Sequence, residues 1–300
     1  MTKTTRYLLL AVLAGIAGLL IPGAVQTQGP PPGAQGQAAP PPRRGGPPPP
    51  LRLADVKWQP WNNTGLTRLP TDVGTDGPAP RRDLTGLWDP ARNGIGARGA
   101  RNPAPLTPWG ETVGKTHKSG DGIREVPAPE INDPLSTLGD PSGYPRNLLF
   151  ELRSINFVKT PSAYYVLHMW ERRWRAVWTD GRQLPTDPDP RWYGYSVGRW
   201  EDDYTFVITS NGTDERTWLD NAGNPHSDQL RVEERWHRIS EKRLELTVTL
   251  DDPKAYTRPW VALEKLQFVQ IPESVDLIEM MNAASEVQKV AEQYKAEAKK

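Results

Sequence analysis

The 300-residue chain has no cysteine. That excludes disulfides, thiolate zinc sites, a cysteine nucleophile and a lipid-modified cysteine behind an export signal. Net charge is nearly absent too. The 37 basic and 36 acidic residues leave +1, too little to steer the chain to nucleic acid. Three of the four histidines, His117, His168 and His237, stand isolated, and no nucleophile elbow supports a Ser/His/Asp triad. The longest apolar run, Tyr7 to Leu20, falls short of the roughly 20 residues that a spanning helix needs.

What is present is unevenly distributed. Residues 1–26 read as a secretory signal: Lys3 and Arg6 start it, the apolar run follows, and Pro22-Gly23-Ala24 breaks the helix. Ile21 or Pro22 stands where a cleavage site wants a small residue, so an uncleaved anchor is the competing reading. If the signal is cut, no membrane span remains. Export to the periplasm, the envelope or the medium is expected. Residues 27–50 hold the runs Pro30–Pro32, Pro40–Pro42 and Pro47–Pro50 with little to bury, which predicts a disordered, partly polyproline-II linker. Residues 51–83 are expected to form an irregular extension.

From residue 84 to 271 the pattern is that of an antiparallel meander. Alternating runs begin at Leu84, Ser154, Ala163, Arg173, Gly194, Tyr204, Gln229, Arg243 and Trp260, most of them split by short polar turns. The fold expected is all-β, an up-and-down barrel or strongly curved meander of eight to nine strands. Residues 92–143 form a connection too long and aperiodic for ordinary loop statistics. Residues 272–300 are expected to be a helix whose stripe includes Leu277, Met280, Ala284 and Val287. That stripe either docks weakly on the sheet or supports a helix-mediated dimer.

Candidate site residues follow from the faces. Leu230, Val232, Glu234 and Trp236 alternate on one strand, and Trp260, Ala262, Glu264, Leu266 and Phe268 on another, so two glutamates point toward the core. A buried carboxylate needs a partner. Arg199, in phase with Tyr195 and Val197, is the expected one. Three readings stay open: a structural Arg–Glu pair, the polar floor of a pocket stacked by Tyr195, Trp236 and Trp260, or an acid/base pair for glycoside cleavage using Glu234 and Glu264. On the strand from Arg173, Trp174, Ala176 and Trp178 take one face, and Arg173 and Arg175 take the other, expected to be solvated. His226-Ser-Asp228 either shares a metal, if extended, or forms a turn bonded to local backbone; the turn is preferred, and no metal or other cofactor is called for.

Gly86-Leu-Trp88 resembles the Gly-x-Trp signature of the lipocalin-like (calycin) barrels. That resemblance implies that Trp88 plugs the narrow end and packs on a basic side chain of the last strand, here Lys265. A wider set of blocks covers roughly 84 to 269. It comprises Leu106-Thr-Pro-Trp-Gly110, Thr179-Asp-Gly-Arg182, Trp192-Tyr-Gly-Tyr-Ser-Val-Gly-Arg-Trp-Glu201, Pro225-His-Ser-Asp228 and Asp251-Asp-Pro-Lys-Ala-Tyr-Thr-Arg-Pro-Trp260. It resembles a family of uncharacterised exported bacterial proteins, which implies an exported β-rich domain and carries over no activity. Asp202 stands where a glycine is expected in one hairpin of that family.

The function expected is therefore noncatalytic binding of a small molecule or saccharide in an aromatic-lined pocket at the barrel mouth. The alternatives are an envelope interaction protein with a filled barrel, and the glutamate hydrolase.

Overall fold

A computed structural model describes residues 75–90, 103–120, 122–150, 152–277, 281 and 283–297. The expected signal, the linker and most of the irregular extension lie outside the described residues. Nine strands form one closed barrel in sequence order: β1 (Gly86–Pro90), β2 (Ile155–Lys159), β3 (Ala163–His168), β4 (Trp174–Trp178), β5 (Tyr195–Trp200), β6 (Thr205–Asn211), β7 (Arg231–Ser240), β8 (Arg243–Asp251) and β9 (Trp260–Ile271). Closure pairs β1 with β9, Trp88 lying beside Gln270, so neither terminal strand is left as an open edge.

The barrel is mixed rather than purely up-and-down. β4 and β5 run parallel, with Val177 beside Ser196, and residues 179–194 carry the chain back from the lower end to the upper end between them. The other neighbours are antiparallel. The upper end bears the β3–β4, β6–β7 and β8–β9 connections.

The interior is filled. Trp88, Phe157, Tyr164, Phe206, Trp236 and Phe268 are fully buried, and the last five rings meet edge-on or tilted, as at Phe157–Trp236 (5.1 Å) and Tyr164–Phe206 (5.3 Å). β5 makes room for them. Gly198 faces inward, and a Cβ there would come within 2.4 Å of the Phe206 ring. The Asp202 hairpin needs no glycine, because the Asp202 carboxylate accepts from the backbone of Tyr204 (2.7 Å) and Thr205 (2.6 Å).

Trp88 lies buried as expected, but its cation is different. Arg238 of β7 stands 4.5 Å over the ring, while the Trp88 indole donates to the Leu84 carbonyl at 2.9 Å. Lys265 is exposed on the outer face of β9, several residues up the strand from Gln270. Gly86 precedes the tryptophan at φ +124, a conformation that L side chains rarely adopt, and this gives the Gly-x-Trp spacing a backbone reason.

The upper mouth is closed by the segment between β1 and β2. It contains α1 (Pro108–Gly114), two 3-10 turns, α2 (Pro134–Thr137) and α3 (Arg146–Leu149). Three of the quoted sequence blocks lock together here. Thr107 donates its N–H to the Ala255 carbonyl (2.9 Å) and its hydroxyl to the Lys254 carbonyl (2.6 Å). Asp252 accepts from the Ser227 N–H (2.6 Å) and hydroxyl (2.8 Å), and the Tyr256 hydroxyl donates to the Pro225 carbonyl (2.7 Å). The C-terminal helix, α4 (Ala284–Glu297), packs chiefly on α2 and the 3-10 turn at Ala128–Glu130.

Candidate functional site

Glu234 is inside the barrel, fully buried, at the centre of a polar layer. Arg175 donates from one nitrogen, Nη2, to both carboxylate oxygens, at 2.6 and 2.7 Å. The Tyr144 hydroxyl donates to Oε1 (2.7 Å), and the indole of Trp236 donates to Oε2 (3.0 Å). Arg175 also reaches Ser196 (3.3 Å), which bonds Ser210 (2.8 Å), and its guanidinium lies 4.4 Å from the Tyr144 ring centre. Burial opposes the Arg175 charge, but the adjoining Glu234 carboxylate more than compensates and raises its pKa. Burial, then the Glu234 charge, pushes the Tyr144 phenol well above its usual value. This is a salt bridge with a phenol lid, closed to solvent.

Two partners expected from sequence are elsewhere. Arg199 shares a face with Tyr195 and Val197, as read, but that face is the outside, and Arg199 is exposed. Glu264 is exposed on the outer wall. β9 carries two register irregularities against β8, between the pairs Leu246–Leu266 and Val248–Leu263 and between Val248–Leu263 and Thr249–Val261. Each inserts one extra residue into β9, so the register moves by two in all and the inward parity is restored. Trp260 and Leu266 keep the inward phase that their numbering suggests, while Leu263 takes the inward place expected of Glu264. Lys265, at φ +46, marks the bulge. Glu234 and Glu264 thus lie on opposite faces of one wall and cannot flank a sugar. Trp236 and Trp260 are buried, so neither offers a stacking face.

The true partner of Glu234 comes from the face of β4 expected to be solvated. On β4 the arginine face is the inner one: Arg175 and Val177 are buried, and Trp174 is 59% exposed. Tyr144 lies in the long first connection, where no periodicity marks it. It is held in place by its backbone N–H to the Trp192 carbonyl (2.9 Å) and by Ser142 two residues earlier. The Ser142 N–H (2.9 Å) and hydroxyl (2.7 Å) donate to buried Glu171, as does Tyr193 (3.1 Å).

His226 and Asp228 do not converge. His226 is buried between Thr217 (2.9 Å from Nε2) and the Ser227 carbonyl (3.1 Å from Nδ1), and burial lowers its pKa. Asp228 points to solvent near Lys254. Among the described residues no group of three His, Asp or Glu side chains is placed to hold a metal.

Two open concavities lie among the described residues. One, about 530 Å³, crosses the outer wall of β6–β9 and includes His237, Glu264 and Lys265. The other, about 440 Å³, lies at the upper rim beside His117 and Trp218. Several of their polar groups are held by neighbours outside the concavity. Arg235 pairs with Glu201, Arg216 with Asp214, and His117 stacks on Trp218 at 4.4 Å and bonds the Gly223 carbonyl.

The outer wall of β3–β5 differs. Ala176 faces outward opposite Tyr165, with Trp174 and Trp178 two residues away on either side. The parallel β4–β5 register, continued one step, brings Tyr195 beside Ala176 on the other flank. Strand spacing of about 4.8 Å and roughly 6.7 Å between alternate residues make this a shallow dish with an alanine floor and four aromatic walls. The Tyr165 and Trp174 rings touch at 5.6 Å, tilted by 52°. Residues 179–194 frame the dish, Arg182 standing 3.6 Å over Trp178 and Arg191 4.0 Å over Tyr195. Of the site residues expected from sequence, Tyr195 belongs to it, and Arg199 stands further along the same outward face of β5.

Comparison with known proteins leaves the chain without a match: no family model, curated protein or solved structure matches it at a significant level.

Proposed function

We propose that the protein is an exported, noncatalytic binding domain that stacks a saccharide on the aromatic dish around Ala176. The supporting observation is the outward placement of Trp174, Tyr165, Trp178 and Tyr195 about a small floor residue. Single exposed aromatics need no explanation, whereas adjoining rings on one face form the kind of apolar patch that marks a binding surface. Aromatic rings are large and stiff, so the patch loses little entropy when it is covered. The filled barrel supplies rigidity, and a proline-rich linker ahead of it would hold the dish away from the point of export.

Affinity electrophoresis in gels cast with different polysaccharides tests this. Wild-type protein should be retarded by at least one of them, and Trp174→Ala and Tyr165→Ala should run as they do in plain gel. Equal retardation of wild type and both variants, or none in any gel, contradicts the proposal. A second reading, an envelope interaction protein without a small ligand, draws on the filled interior and the interlocked upper cap.

A further inference from the structure

We infer that the saccharide taken by the dish is anionic, an inference that rests on the binding role proposed above. The argument is the charge left over at its rim. Arg182, stacked on Trp178, is balanced: its Nε and Nη2 donate to Asp180 at 2.9 and 2.6 Å. Arg191, stacked on Tyr195, has no carboxylate partner among the described residues. Arg199, exposed two residues below Val197 on the same outward face of β5, has none either. The nearby acids are committed or apart. Glu201 pairs with Arg235, and Asp187 and Asp189 of the crossover form no ion pair with either arginine. A guanidinium lying on a ring still presents its N–H donors at its edge. A neutral sugar would use the rings alone. A carboxylate, sulfate or phosphate on the sugar would in addition receive charge-assisted hydrogen bonds from two guanidiniums that have no acidic partner among the described residues.

Isothermal titration of the full chain at low salt separates the charge from the stacking. The probes are oligogalacturonate and its fully methyl-esterified, neutral twin, with dextran sulfate and dextran as a second pair. The charged member of at least one pair should bind about tenfold more tightly or better than its twin. Arg191→Gln with Arg199→Gln should remove that advantage, and Trp174→Ala should weaken both members. Equal affinity within both pairs overturns the anionic inference while leaving saccharide binding in place. Binding unaffected by Trp174→Ala, or no binding of any probe, overturns both.

Discussion

Arg175 of β4 and Glu234 of β7 meet across the barrel interior, three strands apart along the wall, with one guanidinium nitrogen bonded to both carboxylate oxygens. The pair fixes which face of β4 looks inward. Because Arg175 and Val177 turn in, Trp174, Ala176 and Trp178 turn out. The interior salt bridge and the exterior aromatic dish are two consequences of one strand phase.

Removing one partner of this pair leaves a buried charge without compensation. Arg175→Met or Glu234→Leu should each lower unfolding free energy by about 3–5 kcal/mol, whereas the double change Arg175→Met with Glu234→Leu should cost less than the two single costs added. Urea denaturation of the four proteins checks this. Additive losses would mean that the two groups do not interact.

Buried ionisable groups set opposing pH dependences. Burial, reinforced by the Arg175 charge, lowers His168 from 6.5 to about 3, so the folded state disfavours its proton and its contribution is lost as pH falls from 6.5 toward 3. Burial raises Asp89 from 3.8 to about 6, outweighing its hydrogen bond from Ser154 and the Arg153 charge. Its contribution is complete below about 3.8 and lost as pH rises through 6. Between pH 4 and 6 the two slopes, each about 1.4 kcal/mol per pH unit, oppose one another. Relative to the parent, Asp89→Asn should therefore tilt the profile toward loss of stability on acidification, and His168→Gln should tilt it toward gain. Denaturant midpoints at pH 4.5 and 6 read both effects; unchanged slopes in both variants would contradict the assignment.

The cap is held by contacts among distant blocks, so it should loosen as a unit. A Cβ on Gly110 would lie 2.4 Å from the Ala255 carbonyl oxygen, a backbone atom that cannot swing away. Gly110→Ala should cost roughly 1–3 kcal/mol and speed hydrogen exchange across residues 103–120 and 252–258 together. Faster exchange in the first segment alone would show that the blocks are not coupled.

All nine strands could be read from the sequence, because period-two alternation depends only on each strand having two unlike faces. Which face is inner is a different question, and hydrophobicity answers it poorly in a barrel whose centre is polar. On β4 the tryptophans suggested the core and the arginines the solvent, yet Arg175 has a fixed acidic partner inside and Trp174 has none. On β9 the parity of Trp260 and Leu266 is right at both ends and wrong at Glu264, since two one-residue insertions add to two and leave the odd–even alternation unchanged. Tyr144 and the cap were invisible for another reason. Their positions come from hydrogen bonds to Trp192, Glu171 and Glu234, contacts of long sequence separation that leave no local pattern. The quoted sequence blocks were legible as motifs but not as mutual contacts, and much of their content proves to be latching: Thr107 to Lys254 and Ala255, Ser227 to Asp252.

The central claim is that ligands are met on the outside of β3–β5 and not within the barrel. Indole N–H resonances of 15N-labelled protein, followed by NMR while a retarding polysaccharide fragment is titrated in, separate the two directly. The signals of Trp174 and Trp178 should shift, with those of Trp88 and Trp236 unmoved. Shifts confined to Trp88 and Trp236 would contradict the account.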